Sequence, residues 1–306
     1  MTKALVLGGT RFFGVQLVES LLQQGVEVTI ASRGNVEDPF GDKVSRIKVD
    51  RLNVGDMQKN FVHTDWDIVF DQICYSSQEA IDTIDVFAGK TKKYVFTSSK
   101  SVYELGGGEQ GFIEEDFNPF KYNLNIGPKE DFSYGEGKRQ AEAAFFSHAP
   151  FPVVAVRFPI VIGINDYTDR LNYYIKKVRD QADIHLVNLE AAMDFISEEE
   201  AGDFLAWVGQ SDFEGPINAT SNGNVKIGEL LAYIEEKVGK TAIVVADTKE
   251  ESDSPYNISK TWLISNEKAE RQGYEFRELK EYLPSLIEEA LMKINVEEAL
   301  MKINAK

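Results

Sequence analysis

The chain has 306 residues, and its 33 lysines and arginines against 50 aspartates and glutamates give a net charge of −17. This length, with 43% hydrophobic residues, predicts one large α/β domain, or one domain with a smaller appendage, around a substantial buried core. The negative charge disfavours binding to nucleic acids and anionic membranes unless a local basic patch overrides it.

The sequence leads us to expect no export signal, no membrane-spanning helix and no disulfide within the chain. Cys74 is the single cysteine, so no disulfide can form within the chain. No apolar run approaches the roughly 20 residues of a membrane-spanning helix. The first predicted strand begins near residue 3, which leaves no room for a signal peptide before it. We therefore expect a soluble, cytoplasmic protein with no membrane partner.

Strands and helices alternate in the first half of the chain. Short apolar runs predict strands, and apolar residues three or four positions apart predict helices. The predicted strands cover residues 4–7, 26–30, 47–49, 68–73, 94–97 and 153–158, and the predicted helices cover 13–24, 78–87 and 134–146. Strands separated by helices form parallel βαβ units, which predicts an α/β fold with a doubly wound parallel sheet. Ligands of such sheets bind beyond the carboxyl ends of the strands, where the strand order reverses.

The second half of the chain has a looser pattern. Helices are predicted at 169–179, 226–237 and 278–291, with a short strand at 242–245, which is typical of a smaller α+β domain. We therefore predict a first domain over residues 1–163, to which about 193–220 return. A small C-terminal substrate-binding domain would comprise about 164–192 and 221–295, followed by a tail over 296–306.

The tail repeats the segment before it. Residues 288–295 (EEALMKIN) recur at 297–304, nine positions later. In one continuous helix, nine residues rotate the copy by about 180°, so its apolar face turns away from the partner of the first copy. We expect a local duplication that ends as a frayed tail, with a contact to a partner helix as the alternative.

A glycine-rich turn separates the first predicted strand from the first predicted helix. Glycines there allow positive φ angles and close approach of the backbone, and the helix N-terminus favours an anion. The position so soon after a strand makes this turn a candidate pyrophosphate site of a dinucleotide, although a plain strand–helix turn remains the alternative. Its residues are Gly8, Gly9, Thr10, Arg11, Phe12, Phe13 and Gly14.

The residue after the second strand distinguishes the two nicotinamide cofactors. An acid there binds the ribose 2′-hydroxyl of NAD, whereas a basic residue accommodates the 2′-phosphate of NADP. This chain has Ser32 and Arg33 at that position, and Arg11 could reach the same region. We therefore predict NADP(H), with NAD as the alternative, and we also assign Asp50, after the third strand, to the cofactor site.

A tyrosine and a lysine lie one turn apart on the helix predicted at 134–146. A nearby ammonium favours the phenolate form of a tyrosine, which suits proton transfer, so we predict that Tyr134 and Lys138 are catalytic. Ser99, at the carboxyl end of the strand before this helix, could donate a hydrogen bond to a substrate oxygen. Spacing alone is weak support, because Tyr-x-x-x-Lys occurs four times, at Tyr134, Tyr173, Tyr233 and Tyr256. Only the first copy lies in the parallel-sheet half.

Gly135 and Gly137 lie in the first turn of the same helix. Each costs roughly 1 kcal/mol of helix stability relative to alanine. We expect this cost where another segment must approach the helix backbone closely.

Four segments in this order, GGTRFFG, TSSKSVY, YGEGK and VRFP, resemble the extended short-chain dehydrogenases/reductases of the NAD-dependent epimerase/dehydratase group. The resemblance covers nearly the whole chain, since residues 194–201 and 215–239 follow the later pattern of that group. It implies a Rossmann fold with a small C-terminal substrate domain, and homodimers are common in the group. It further implies that Ser99 orients the reacting oxygen, Tyr134 moves its proton, and Lys138 binds the nicotinamide ribose.

Three departures from the group's pattern narrow the predicted reaction. Arg11 replaces the middle glycine of the pyrophosphate turn. Lys100 and Ser101 replace the Asp-Glu pair of sugar-nucleotide dehydratases, so elimination is disfavoured and an epimerase or reductase is favoured. Arg157 is followed by Phe158-Pro159-Ile160, without the asparagine of many UDP-sugar epimerases, which weakens the sugar-nucleotide assignment.

The remaining candidates concern the substrate and metals. Arg170, in a segment that follows a strand, could bind an anionic group of the substrate, and a solvated helix start is the alternative. Tyr103, at the end of TSSKSVY, is a second substrate-binding candidate. His63, His148 and His185 lie far apart in sequence without the spacing of metal ligands, so we predict no metal site.

Two functions from different classes follow. The first is an NAD(P)-dependent oxidoreductase or epimerase that transfers hydride at a hydroxyl-bearing carbon of a sugar, sugar nucleotide or other small carbonyl compound. The second is a non-catalytic NAD(P)-binding regulatory or RNA-associated protein, because the GGTRFFG loop also resembles nucleic-acid-associated plastid proteins. The net charge of −17 makes a nucleic-acid partner unexpected.

Overall fold

The computed structural model describes residues 1–106, 108–246 and 254–304. The strands, in chain order, are β1 (Lys3–Leu7), β2 (Glu27–Ser32), β3 (Ser45–Lys48), β4 (Trp66–Asp71), β5 (Thr91–Ser99), β6 (Val153–Phe158), β7 (Ile160–Ile162), β8 (Asp183–Leu186), β9 (Ala192–Met193), β10 (Phe195–Ser197), β11 (Gly215–Asn218), β12 (Val225–Lys226) and β13 (Ile243–Ala246). The helices are α1 (Phe13–Gln23), α2 (Val54–Phe61), α3 (Ser77–Phe87), α4 (Tyr134–His148), α5 (Arg170–Asp180), α6 (Glu198–Gln210), α7 (Ile227–Val238), α8 (Glu267–Arg271) and α9 (Leu279–Asn304).

A parallel sheet of seven strands forms the centre of the fold, in the order β11-β6-β5-β4-β1-β2-β3. This confirms the predicted doubly wound α/β fold. β2 and β3 lie on one side of β1, and β4, β5, β6 and β11 lie on the other, so the strand order reverses between β1 and β4. The carboxyl ends of these two strands, Leu7 and Asp71, are register partners. A ligand site is expected at this position of the sheet.

The central strands are apolar because both faces of the sheet are covered. Along β1, Ala4 and Val6 belong to the hydrophobic core on one face, and Leu5 and Leu7 belong to the core on the other. The central strands are therefore buried from both faces of the sheet.

A third hydrophobic core lies in the second half of the chain and joins α5, α7, α9 and β8. The segment between them returns to the sheet, since β11 pairs with β6 and α6 packs against α1. A Cβ on Gly202 of α6 would lie 2.5 Å from the Leu17 nitrogen of α1, so these two helices touch at backbone distance. These contacts support the division into two domains, which remains our proposal.

The C-terminal helix is longer than predicted, because α9 runs through the repeat to Asn304. The expectation of a frayed tail is therefore wrong in the described residues. The predicted rotation is present: Ala290 and Ile294 of the first copy are buried, whereas Leu300 and Met301 of the second are 54% and 68% exposed. Within the described ranges, no helix combines the length and the apolar character needed to cross a membrane.

Candidate active site

A cavity of about 470 Å³ lies at the carboxyl ends of β1, β2 and β4, where the strand order reverses. It brings together every predicted cofactor-binding residue except Lys138. Those along its wall are Gly8, Gly9, Thr10, Arg11, Phe12, Phe13, Gly14, Ser32, Arg33 and Asp50. The residues that the sequence pattern assigned to the cofactor therefore lie along one continuous cavity, and their role in binding stays a prediction.

The glycine turn is packed too tightly for larger residues. Gly8 and Gly9 have φ angles of +109° and +78°, a region that side chains other than glycine rarely adopt. A Cβ on Gly9 would lie 2.9 Å from Val6 Cγ1, and one on Gly14 would lie 3.0 Å from the Gly9 Cα. Phe12, with a φ of +51°, is a strained bulky residue in the same turn.

Several polar groups of this turn remain available to a ligand. The Gly9 N–H donates to Gln72 Oε1 at 3.1 Å, but Gln72 Nε2 is buried and has no acceptor among the described residues. In the same part of the chain, the N–H groups of Thr10, Arg11 and Phe12 find no acceptor. They precede the N-terminus of α1, where the helix dipole favours negative charge. A turn whose glycines leave no room for a Cβ, and whose N–H donors at residues 10–12 are unpaired among the described residues, fits the pyrophosphate of a dinucleotide.

Arg11, the replacement for the middle glycine, lies at the outer edge of the turn. Its guanidinium carbon is 5.6 Å from the centre of the Tyr167 ring, and that ring contacts Phe12 at 6.3 Å. Tyr167 is 64% exposed and lines the cavity from the loop after β7. The sequence pattern predicted that residues 166–170 face the site, but it singled out Arg170 rather than Tyr167.

The cofactor-selecting end of β2 offers a hydroxyl and a guanidinium. The Ser32 hydroxyl accepts a hydrogen bond from the Gly34 N–H at 3.2 Å. The exposed Arg33 forms no ion pair with any described residue, so its charge is free for a ligand. Asp50, also exposed, accepts from the Leu52 N–H at 3.1 Å.

A buried arginine that sequence reasoning missed lies beside the cavity. Arg51 is 3.1 Å from Asp71 and 3.4 Å from Glu79, and it donates to the Thr83 hydroxyl at 2.7 Å. Its Nε is buried and has no acceptor in the described part of the chain. Burial raises the pKa of Glu79, which outweighs the lowering effect of Arg51. No sequence pattern marks Arg51, because it follows a strand as one polar residue among several.

Tyr134 and Lys138 occupy the first turns of α4, with Ser133 as the N-cap that accepts from the Glu136 N–H at 3.3 Å. Tyr134 is 56% exposed, and its hydroxyl has no hydrogen-bond partner among the residues described. Lys138 is buried, and its Nζ lies 5.8 Å from the centre of the Tyr134 ring. The phenol therefore faces outward with the ammonium behind it.

The Lys138 ammonium is held by two strand ends. Its Nζ donates to the carbonyl oxygens of Cys74 and Thr97, both at 2.8 Å. Cys74 follows β4 and Thr97 belongs to β5, so these bonds fix α4 over the middle of the sheet. Burial raises the pKa of the Cys74 thiol to about 12, which agrees with a buried, unreactive side chain.

Ser99 ends β5 close to this pair but makes its hydrogen bonds locally. Its hydroxyl accepts from the Ser101 N–H at 3.1 Å and lies 3.2 Å from the Ser101 hydroxyl. Lys100, between them, is buried and ion-paired with Asp194 at 2.5 Å. The residue that replaces the dehydratase acid therefore points into the interior, and Ser99 has no hydrogen bond to Tyr134 in the described structure.

The two glycines of α4 do allow close approach, as predicted. A Cβ on Gly135 would lie 2.5 Å from the Ser101 carbonyl oxygen, and one on Gly137 would overlap the Tyr75 carbonyl oxygen. The helix that carries Tyr134 is thereby pressed against the segments after β5 and β4.

The two predicted substrate-binding residues lie in different surroundings. Tyr103 is buried, donates to Asn218 Oδ1 at 2.8 Å and accepts from Arg157 Nη1 at 2.8 Å. These contacts leave it no free surface, so the geometry argues against a substrate contact. Arg170 is partly exposed, but it donates to the Thr168 hydroxyl at 2.8 Å and lies 3.7 Å from Asp166. In the described ranges, no group of three or more histidine, cysteine, aspartate or glutamate side chains could hold a metal ion.

Comparisons with known proteins bear on the fold and on the family. A curated relative, the chloroplast stem-loop binding protein of 41 kDa b from Arabidopsis thaliana, is 29% identical over 154 residues, which cover 46% of this chain and 37% of that protein. The UDP-glucose 4-epimerase of Thermus thermophilus, solved with NAD, superposes with a TM-score of 0.72 at 17% identity, over 95% of this chain and 99% of that one. The dTDP-glucose 4,6-dehydratase of Bacillus anthracis str. Ames, also solved with NAD, gives 0.76 at 15% identity, over 96% and 97%.

At such identities these two structures establish the fold alone. The family model of the NAD dependent epimerase/dehydratase family matches residues 4–222, which is more than half of the chain. The protein therefore belongs to the NAD dependent epimerase/dehydratase family.

Proposed function

We propose that this protein is an NAD(P)-dependent oxidoreductase or epimerase that acts at a hydroxyl-bearing carbon of a sugar, sugar nucleotide or other small carbonyl compound. The observation that carries the proposal is the exposed Tyr134 phenol in front of the buried Lys138 ammonium. Tyr75, whose ring contacts that of Tyr134 at 6.4 Å, also lines the dinucleotide cavity. Family membership supports a nicotinamide cofactor.

The cofactor would be held largely by backbone. The unpaired N–H groups of the glycine turn and the Arg11 side chain would bind the diphosphate, and Lys138 would face the second ribose. Ser32 and the unpaired Arg33 favour the 2′-phosphate of NADP, because no acid follows β2. NAD is the alternative, since both neighbouring structures contain it.

The protein's own residues would move a proton while the bound nicotinamide accepts or supplies hydride. The Ser99 hydroxyl would orient the substrate oxygen, and the Tyr134 hydroxyl would take up or release its proton. Lys138 places a positive charge behind the phenol, with its Nζ 5.8 Å from the centre of the Tyr134 ring.

Two features bear on the reaction and substrate. An epimerase or reductase fits better than a dehydratase. Lys100 occupies the position of the dehydratase acid, and its ammonium is ion-paired with Asp194. Sugar nucleotides are candidate substrates because the enzymes named for both neighbouring structures act on them. Arg170 would bind an anionic group, and a homodimer, as is common in the group, remains part of the proposal.

Replacement of Tyr134 by phenylalanine tests the enzyme proposal. Turnover of carbonyl or sugar substrates with NADPH should fall about 10²- to 10⁴-fold, because the proton-transfer group is lost while its ring remains. Tyr233→Phe is a matched control, since Tyr233 belongs to another Tyr-x-x-x-Lys pair, in α7. Turnover undiminished in Tyr134→Phe would end the proposed role.

A non-catalytic nucleotide-binding or RNA-associated protein is the second candidate, supported by the similarity to the chloroplast stem-loop binding protein. The net charge of −17 opposes it. Filter binding at low salt separates the two, because salt-sensitive retention of RNA is expected only of the second.

A further inference from the structure

Tyr75 stands where the dinucleotide cavity meets the predicted proton-transfer residues. It lines the cavity, whereas Ser99, Tyr134 and Lys138 are not among the described residues of the cavity wall. The rings of Tyr75 and Tyr134 contact each other with a centroid distance of 6.4 Å. A ligand that extends from the glycine turn towards Tyr134 must therefore pass Tyr75.

The Tyr75 ring also covers the Lys138 ammonium. An ammonium has three N–H donors, and two of those of Lys138 are bonded to the carbonyl oxygens of Cys74 and Thr97. The centre of the Tyr75 ring is 4.5 Å from Nζ, nearer than the ring of Phe96 at 4.9 Å or that of Tyr134 at 5.8 Å. The ring therefore occupies the approach to the remaining donor, and the contact is a favourable cation–π interaction.

The backbone of Tyr75 is held by its neighbours, and its side chain has ring contacts but no hydrogen bond among the described residues. The Tyr75 N–H donates to Glu79 Oε2 at 2.8 Å, and its carbonyl oxygen is pressed against Gly137 of α4. The side chain is 36% exposed, and its hydroxyl has no hydrogen-bond partner in the part of the chain described. A rotation of the side chain alone would uncover Lys138 without moving the sheet or α4.

We propose that Tyr75 is a gate between the two halves of the dinucleotide site. The cavity of about 470 Å³ would receive the adenosine diphosphate part, and a group joined beyond the diphosphate would reach Lys138 and Tyr134 only after the Tyr75 ring rotates away. This inference rests on the proposed function of the cavity. Because only the open fraction of the protein is competent, the apparent affinity for the whole dinucleotide is lowered by that fraction, while that for adenosine diphosphate is not.

Calorimetric titrations of ADP, NAD and NADP into wild type, Tyr75→Ala and Tyr75→Phe test the gate. Tyr75→Ala should bind the dinucleotides about tenfold more tightly than wild type, since the cation–π contact that closes the gate is lost, and should bind ADP within about twofold. Tyr75→Phe keeps the ring and should behave as wild type. Circular dichroism establishes that each variant is folded.

The other outcomes overturn the gate. Weaker dinucleotide binding by Tyr75→Ala would make the ring a contact surface for the ligand. An equal change in affinity for ADP and for the dinucleotides would show that the ring does not act on the part of the site beyond the diphosphate. If folded wild type binds neither ADP nor the dinucleotides, the proposed function of the cavity fails, and the gate fails with it. If ADP binds but the dinucleotide affinities do not differ between variants, the gate is wrong while the proposed function of the cavity stands.

Discussion

The nucleotide end and the Tyr134 end of the site differ in how completely their buried polar groups are paired. At the nucleotide end, Arg51 Nε and Gln72 Nε2 have no partner among the described residues, and both residues line the cavity. Further along α4 from Tyr134, Glu142 is fully buried with Arg157 of β6, and the two are bonded to each other and to their neighbours. Unpaired groups beside a cavity are available to a ligand, whereas a paired network holds a reacting group in place.

The largest expected effect concerns the paired network. Glu142 accepts from Arg157 Nη2 at 2.6 Å and Nε at 3.0 Å, and from the Ser98 hydroxyl at 2.5 Å. Glu142→Gln leaves the Arg157 charge buried without its counter-ion, which should lower the free energy of unfolding by about 3–5 kcal/mol. Urea unfolding followed by circular dichroism measures the loss.

Glu190→Gln is the control for this substitution, because Glu190 pairs with Lys226 at 2.8 Å on the surface. An exposed pair contributes at most about 1 kcal/mol. If Glu142→Gln and Glu190→Gln lost the same small amount of unfolding free energy, the Glu142–Arg157 network would not be what stabilises the Tyr134 end.

The next largest expected effect concerns Glu198, a buried carboxyl beneath the loop that carries Tyr167. Glu198 is buried beneath this loop and accepts from the Asn165 N–H at 3.3 Å and Nδ2 at 3.1 Å. Its Oε2 has no partner among the described groups. Burial raises the pKa of this carboxyl from its ordinary 4.5 to about 7, because the charged form is desolvated.

A raised folded-state pKa stabilises the protein at low pH. The contribution is fully present below about pH 4.5 and is lost as the pH rises through about 7. Between about pH 5 and 8, wild type should lose about 2 kcal/mol of unfolding free energy relative to Glu198→Gln, in which this titration is absent. Parallel stability curves for the two proteins would show that Glu198 titrates alike in the folded and unfolded states.

A smaller effect is expected where α4 is pressed against the chain after β4. A Cβ on Gly137 would overlap the Tyr75 carbonyl oxygen, so Gly137→Ala should lower the unfolding free energy by about 1–2 kcal/mol despite the better helix propensity of alanine. Gly55→Ala in α2 is the matched control, because its nearest atom, Asn53 Oδ1, would be 3.6 Å away. A stabilised Gly137→Ala would mean that α4 is not pressed against Tyr75.

The fold was largely predictable because its signals are local. Buried parallel strands are continuous apolar runs, so each central strand was identified, as was the glycine turn that follows the first. Helices α2, α6 and α8 were missed: α2 and α8 are short, and the three glutamates at the start of α6 obscure its apolar face. The end of α9 was misplaced because a repeat of good helix formers continues a helix even where its apolar face has no partner.

The site was predictable where spacing along the chain decides it, and not where tertiary contacts do. The glycine turn and the Tyr134–Lys138 pair are local patterns, and the structure brings them to neighbouring strand ends. Tyr75 and Arg51 depend on what approaches them from other elements, which the sequence does not display. The burial of Tyr103, which argues against the predicted substrate contact, could not be foreseen because its pairing with Arg157 joins β6 to a distant segment.

The smallest expected effect on stability is at the nucleotide end of the site, where buried polar groups are unpaired among the described residues. Gln72→Met removes the acceptor of the Gly9 N–H, now 3.1 Å away, and the unpaired Nε2. Loss of one hydrogen bond should lower the unfolding free energy by only about 1 kcal/mol. The affinity for ADP should fall about tenfold, because the glycine turn is no longer held against β4. Calorimetry and urea unfolding measure the two effects separately.

A fall in ADP affinity without a large loss of unfolding free energy would distinguish groups that bind the ligand from groups that stabilise the fold. Gln58→Met on the exposed face of α2 controls for the substitution itself and should change stability by less than about 0.5 kcal/mol. A loss of several kcal/mol in Gln72→Met with unchanged ADP binding would reverse the comparison, since Gln72 would then brace the fold as Glu142 does. A weakened ADP affinity in a nearly wild-type fold would instead assign the unpaired groups to the ligand.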